Sequence, residues 1–457
     1  MPRPILRARA PVELESPRVS GALLTAYRSL SPLYLRLAFK IRAIRLLRAS
    51  VAVEAARDFQ EGRSRLIFAF RHPYGHEPQV LAAAIARAIP AAARSAGRPL
   101  PRPLHAHFIH GHEVALWSGP LVRWVLPRAG ALPIHHVKMD AAGMERIRLH
   151  LRSGAFPLAL APEGQVSYSS STVPRLERGF ASLAFRCAED LETAGRPERV
   201  TVLPLSVHMR YGKDAARALA DAIDRLEREC GIVRRGGAGP HERLRAVAAA
   251  IVAHAEEFYE GLGRLPRGER AGGLNGRWEA VVEAALAAGE GALALPPDGD
   301  LPRRLYRIRQ AGWDRIYRDD LGSRGQGPAR SPLFRALADR GAGEAWYAMR
   351  HMELADIGSY LDFDALTDDE PLDLLLERAV NYVDLTSRLR GGNITDRITS
   401  ARADAVIVVG EPLELRERLG DYRGGRKAAL DAATDALESR YLDCIDLFRK
   451  EYVDGER

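Results

Sequence analysis

The sequence predicts an α/β fold, a mainly parallel sheet flanked by helices, and three observations carry that prediction. Between residues 51 and 212 short apolar runs alternate with helical patterns, as expected when crossover helices connect parallel strands. Two of those runs, 64–71 and 155–162, stop abruptly at Arg71-His72 and at Glu163, and the carboxyl ends of strands are where such sheets place ligands. Beyond Gly212 the pattern is almost wholly helical until a last apolar run, Asp404-Ala-Val-Ile-Val-Val-Gly410. A large, mostly helical insertion is therefore expected between two parts of the sheet.

Along the chain, residues 1–19 are rich in Pro and Arg and read as irregular. From Gly21 the pattern is helical, broken near Ser31-Pro32, and Leu33 to Arg48 sets Leu33, Leu37, Phe39, Ile41, Ile44, Leu46 and Leu47 among five cations. That is the pattern of a basic amphipathic helix, suited either to an anionic membrane interface or to packing on the protein's own core with arginines reaching out. At a lipid surface each cation adds about 1 kcal/mol. Strands are expected at 64–71, 104–110, 130–135, 155–162 and 199–209, with helices at 78–89, 113–127, 139–153 and 179–194 between them. Pro90 is expected to end the first of these helices, while Gly154 and Gly195 stand where helix C-caps belong. Further helices are read at 214–230, 241–262, 278–289 and 303–320. Thr367 to Glu370 reads as a capping box before a helix reaching Leu389.

Composition narrows the function classes. The chain has 457 residues, 46% of them apolar, enough for a large core and two structural units. Three scattered cysteines, Cys187, Cys230 and Cys444, fit neither a disulfide framework nor a zinc site and suit a reducing cytosol. The N-terminal stretch lacks the apolar core of a signal peptide, and no apolar run approaches the roughly 20 residues of a membrane span. The expectation is a cytoplasmic protein, peripheral to the inner face of a membrane. The net charge is +8, and residues 1–50 alone carry ten Lys/Arg against two acids, leaving the remainder balanced. With no basic–aromatic interleaving, nucleic acid is not the expected partner.

The chemistry is concentrated in residues 64–78. A buried strand ends at Arg71-His72, Pro73 and Gly75 turn the chain, and Glu77-Pro78 opens a helix with proline at a position where its missing N–H costs nothing. The helix dipole favours an ionised Glu77 by roughly 0.3–1 kcal/mol. A carboxylate five positions after an imidazole, across a strand–turn–helix corner, can fix one tautomer and leave His72 as a general base.

Taken with three motifs farther along the chain, this stretch resembles the glycerolipid acyltransferases of the lysophosphatidic acid acyltransferase family. His72-Pro-Tyr-Gly-His-Glu77 matches the family's first motif, a histidine, four residues and an acid. Pro162-Glu163-Gly164 at the end of a strand matches the third motif, Arg178-Gly179 the basic-Gly element after it, and Val200-Thr-Val-Leu-Pro204-Leu-Ser-Val207 the fourth. Order and spacing agree over residues 64–212. The resemblance implies an O-acyltransferase that moves a fatty acyl group from acyl-CoA or acyl-carrier protein to a glycerolipid-type hydroxyl. His72 and Glu77 would be the catalytic pair, and Glu163, Gly164, Gln165, His136 and Arg178 would meet substrate. No metal or cofactor is implied beyond the thioester co-substrate. Lysolipid acceptor and membrane surface would be the partners.

Three positions depart from the family pattern. Glu77 stands where aspartate is usual. His136 falls where the second motif carries an arginine for the acceptor's phosphate, and Gln165 comes after Pro162-Glu163-Gly164 where an arginine would serve. An imidazole does not replace a bidentate guanidinium–phosphate contact, so Lys138, Arg175 or Arg178 would have to supply it, or the acceptor carries no phosphate. A non-catalytic membrane-binding protein is the reading from another class.

The domain boundaries expected are a basic N-terminal segment 1–50, a core 51–212, a helical insertion 213–399, and a closing strand and helix in 400–457. Eight of thirteen histidines lie between 72 and 136. His105 and His107 would share one face of a strand, but without a paired metal-ligand signature a polar strand rim is the simpler reading.

Overall fold

The computed structural model describes residues 4–12, 15–135, 140–233, 236–268, 272–321, 331–368, 370–392 and 401–452. The chain forms two compact units, Met1–Leu14 with Lys213–Ser400, and Glu15–Gly212 with Ala401–Arg457.

The second of these is the α/β unit. Its elements run α1 Gly21–Ala38, β1 Ile41–Leu47, α2 Ala49–Gln60, β2 Ser64–Phe70, α3 Glu77–Ala83, a π-helical turn Ala84–Ala88, α4 Ile89–Ser95, β3 His107–Gly111, α5 Val114–Trp117, α6 Gly119–Arg128, β4 Leu132–Ile134, α7 Ala141–Ser153, β5 Leu158–Leu160, α8 Gly179–Thr193 and β6 Arg199–Arg210. The helical unit supplies α9 Ala215–Cys230, α10 Pro240–Gly261, α11 Leu274–Ala292, α12 Leu301–Ile316, α13 Pro332–Gly358 and α14 Leu372–Leu389. The chain then returns to the α/β unit with β7 Ala403–Val409, β8 Leu413–Glu414, α15 Leu419–Gly424 and α16 Arg426–Tyr452.

Among the described residues the sheet has eight strands in the order β1-β7-β6-β2-β5-β3-β4, with β8 on β6. All neighbours are parallel except β6 with β7 and β8. β2 lies between β5 and β6, so each of its seven residues is buried, as befits a strand covered on both faces. One core lies under α7, α8, α15 and α16, where Phe180, Phe185, Leu437 and Tyr441 pack with Ile67, Leu158 and Val202. The Phe185 and Tyr422 rings stack there at 4.5 Å.

The N-terminal reading needs correction. Leu33 to Arg48 is not one helix: α1 ends at Ala38 and residues 41–47 form an edge strand. The cations at 42, 45 and 48 recur at the helical spacing of three, and the strand is set instead by its partner, β7, some 360 positions later, with Ile44 opposite Ala405. Arg42 and Arg45 both pair with Asp404, at 3.1 and 3.2 Å. Residues 15–50 therefore belong to the α/β unit. The first fourteen belong to the helical unit, where the Arg9 amide donates to the Ile316 carbonyl at 2.7 Å and that of Ala8 to Asp339 at 2.8 Å.

Neither expected proline break occurs. α1 runs through Pro32; the Arg28 carbonyl, whose ordinary i+4 donor proline lacks, instead accepts from Arg87 Nη1 at 2.7 Å. At Pro90 the helix continues because the π-helical turn before it widens the coil, which relieves the clash of the ring with the preceding turn. The capping box at Thr367 also fails. The N-cap of α14 is Pro371, without a side-chain cap, and the Glu370 carboxylate is held by Arg378 at 2.7 Å.

In the helical unit, buried charge is paired across helices. Arg304 of α12 meets Glu290 of α11 through two bonds of 2.8 Å, and Arg309 meets Asp356 of α13 at 2.9 Å. Of the aromatics at 306, 313 and 317, Trp313 joins the core.

Candidate active site

The β2 ladder to β6 extends one residue past the strand: the Arg71 amide donates to the Leu205 carbonyl at 3.0 Å. His72 is then the first residue free to turn. Pro73 has no N–H to continue the ladder, Gly75 takes φ +86°, and α3 starts at Glu77. The imidazole Nδ1–H donates to Glu77 Oε2 at 2.6 Å, and Glu77 Oε1 accepts from the Tyr74 amide. Both carboxylate oxygens are thus engaged in a side chain that is fully buried.

Burial works against the charge of Glu77, but the His72 imidazole, by charge and hydrogen bond, together with His76 and the residue's own amide, draws its pKa down to about 2. An anion at Nδ1 fixes the tautomer with a lone pair on Nε2. Nε2 is bonded to no other group among the described residues, and the side chain keeps 17% exposure. The ring edge of Phe70 packs against it, centroids 6.0 Å apart. His76, the neighbouring histidine, instead stacks on Phe39 at 5.2 Å. Of the two histidines, His72 is the one whose ring is held by the buried carboxylate.

A second carboxylate reaches the same corner from β5. Ala69 of β2 is level with Leu160 of β5, so three further steps on each strand bring His72 level with Glu163. Glu163 Oε2 accepts the His72 amide at 3.1 Å, and Oε1 accepts from Arg71 Nε at 3.1 Å. The Arg71 guanidinium is fully buried and also donates to the carbonyls of Ser169, Ser170 and Thr172, at 2.8, 2.9 and 2.5 Å. The Ser167 amide in turn donates to the His72 carbonyl at 3.0 Å. His72 is therefore clamped through both of its backbone groups by the segment 163–172.

This arrangement revises the roles of the downstream residues. Glu163 has no side-chain exposure; its two oxygens are engaged by the His72 amide and Arg71, which makes it a positioning group for His72. The Gly164 amide donates to the Ala161 carbonyl at 3.1 Å in a turn with φ +73°, so it is not a spare oxyanion donor. Gln165 is half-buried beside it. Arg178 pairs with Asp431 of α16. His136 and Lys138 lie outside the described residues. Two groups escaped the sequence reading, Arg71 and the Tyr74 amide. A buried arginine directly before the histidine was the signal for the first; the second had none.

The other histidines serve the strand rim. His105 and His107 donate to the carbonyls of Ala129 and Gly130 at 2.8 and 2.7 Å, and His112 stacks on His135 at 4.0 Å. Burial, outweighing the bond to Gly130, lowers His107 to about 4. Burial, then the His135 charge, lowers His112 to about 4. Among the described residues no group of three or more His, Cys, Asp or Glu is placed to hold a metal ion, and no helix is long and apolar enough to cross a membrane. No protein-family model and no curated protein sequence matches this chain.

Proposed function

We propose that this protein is an acyltransferase of the glycerolipid acyltransferase type, acting at His72. The observation that carries the reading is the 2.6 Å bond between His72 Nδ1 and a fully buried, ionised Glu77 at the carboxyl end of a central strand. His72 Nε2 takes the proton of an acceptor hydroxyl as its oxygen attacks the carbonyl carbon of an acyl thioester. A C–O bond forms, the C–S bond breaks, and the departing thiolate recovers the proton from the imidazolium. Glu77 stabilises that imidazolium. Positioned base catalysis of this kind contributes roughly 10²–10⁴-fold.

The acceptor class divides in two. Arg71 is buried within the His72 clamp and Arg178 is engaged by Asp431, so neither is a ready bidentate contact for an acceptor's phosphate, and an acceptor without phosphate stands beside one with it. Contact with a membrane surface is supported by α1, whose Leu30, Leu33, Tyr34 and Leu37 form an exposed stripe at helical spacing, and by exposed Leu121 and Trp124 of α6.

The test is transfer from labelled long-chain acyl-CoA and acyl-carrier-protein donors to lysophosphatidic acid, monoacylglycerol and amine acceptors in mixed micelles, with H72A alongside. Turnover that falls about 10²-fold or more in H72A supports the base role, and the preferred acceptor decides the phosphate question. Equal turnover in H72A overturns the base role of His72; no turnover with any pair in the wild type overturns the enzyme reading and leaves a membrane-binding protein.

A further inference from the structure

A cavity of about 720 Å³ opens in the α/β unit between α1, the edge strand β1, the π-helical turn with α4, and the segment 99–104. Neither His72 nor Glu77 lines it. The volume falls within the range of small-molecule sites, roughly 300–1,000 Å³. Its floor is apolar, with Leu35, Ile41 and Leu104 among the residues that line it. Five arginines, Arg28, Arg42, Arg87, Arg94 and Arg102, line it as well, and no acid does.

Three of those arginines are already engaged. Arg42 pairs with Asp404 at 3.1 Å, Arg87 caps the Arg28 carbonyl at 2.7 Å, and Arg102 donates to the Gln60 carbonyl at 2.9 Å. The guanidinium groups of Arg28 and Arg94 have no partner among the described residues. Ser31, fully buried and part of the lining, has a hydroxyl with no hydrogen-bond partner among them. A buried polar group left unpaired costs free energy until something meets it. The prolines account for the opening: Pro32 of α1 and Pro90 of α4 both line it, and ordinary helix bonding lapses at each.

We propose that this cavity is a second ligand site that takes a phosphate-bearing amphiphile, its apolar body on the floor and its phosphate between Arg28 and Arg94. Guanidinium groups bind phosphate through paired, charge-assisted bonds, and the absence of acids from the lining excludes a cationic ligand. The cavity wall includes Ala83 of α3, the helix that begins at Glu77, about 9 Å of helix rise away. The proposal holds whatever reaction His72 performs.

Two sources share this chemistry, a lipid phosphate and the phosphorylated nucleotide portion of an acyl thioester donor. Calorimetric titration of the full chain with decyl phosphate below its micelle concentration tests the site, with decanol as the uncharged comparator. Decyl phosphate is expected to bind at least about tenfold more tightly than decanol, and R28E/R94E to lose at least about tenfold in affinity. R28K/R94K should retain most of the binding and H72A all of it. Both arginines are exposed at the rim, so these variants should keep the wild-type circular dichroism. Competition by adenosine 3′,5′-bisphosphate supports the site and assigns a nucleotide source; its failure to compete, with decyl phosphate bound, supports the site and assigns a lipid source. Equal binding of decanol, unchanged binding in R28E/R94E, or loss of binding in H72A overturns the proposal.

Discussion

The backbone amide of His72 donates to the carboxylate of Glu163, 91 positions later in the chain, at 3.1 Å. Glu163 in turn neutralises Arg71, the residue before the histidine. An ion pair without solvent exposure thus fixes the backbone from which the His72 ring projects. Removing one member of such a pair leaves a buried charge uncompensated, at a cost of about 3–5 kcal/mol. Arg71→Met should therefore lower stability by that order in urea unfolding. Glu163→Gln, which keeps an acceptor for the His72 amide, should cost less and reduce activity mainly through kcat. A change below about 1 kcal/mol in R71M would show that the clamp is not structural.

Glu77 acts on His72 by a different route, through the ring and not the backbone. Glu77→Gln keeps an oxygen for the Tyr74 amide but loses the charge that fixes the Nδ1–H tautomer and stabilises the imidazolium. We expect kcat to fall by about 10²–10⁴-fold, with the fold retained as judged by circular dichroism. Wild-type turnover in E77Q would remove the dyad from the mechanism.

Stability should decline with acid in two overlapping stages. His107 is held at about 4, below its usual 6.5, because burial disfavours its charged form. As pH falls through that window the unfolded chain takes up the proton and the folded chain does not, so stability is complete above pH 6.5 and is lost toward 4. Glu77, drawn from 4.5 to about 2, has the same sign: its contribution is complete above pH 4.5 and is lost toward 2. Each such group removes about 1.4 kcal/mol per pH unit at most. Urea midpoints at pH 7.5, 5.5, 4 and 3 measure the limbs. Between pH 4.5 and 3, E77Q should show a shallower decline than wild type; an identical slope would assign that limb elsewhere.

The apolar stripe on α1 predicts a membrane phenotype separable from folding. Leu33 and Leu37 are 56% and 74% exposed, so aspartate at both should change stability by within about 0.5 kcal/mol each. Each leucine withdrawn from a lipid interface forfeits about 1.5–3 kcal/mol. Cosedimentation of L33D/L37D with phosphatidylglycerol–phosphatidylcholine vesicles should therefore fall by about tenfold or more. Binding equal to wild type would show that the α1 stripe is not a lipid contact.

The His72–Glu77 corner and the class of fold are legible in the amino-acid order alone. The apolar run of β2, the proline and glycine after His72, and Glu77-Pro78 at a helix start are all local signals, and strand, turn and helix form where these residues place them. The alternation from 64 to 209 indicates the parallel sheet for the same reason, since period and length are properties of short windows. Whatever depends on distant partners was settled by folding. Residues 41–47 have the look of a helix because Arg42, Arg45 and Arg48 recur at a spacing of three; pairing with 403–409 makes them a strand. Pro90 read as a helix end because the π-helical turn that accommodates it arises from packing. Glu163 read as a substrate contact because its motif is local, whereas its partners, Arg71 and the His72 amide, come from the neighbouring strand. A carboxylate's role depends on what surrounds it when the chain has folded, and only the sheet order brought those groups together.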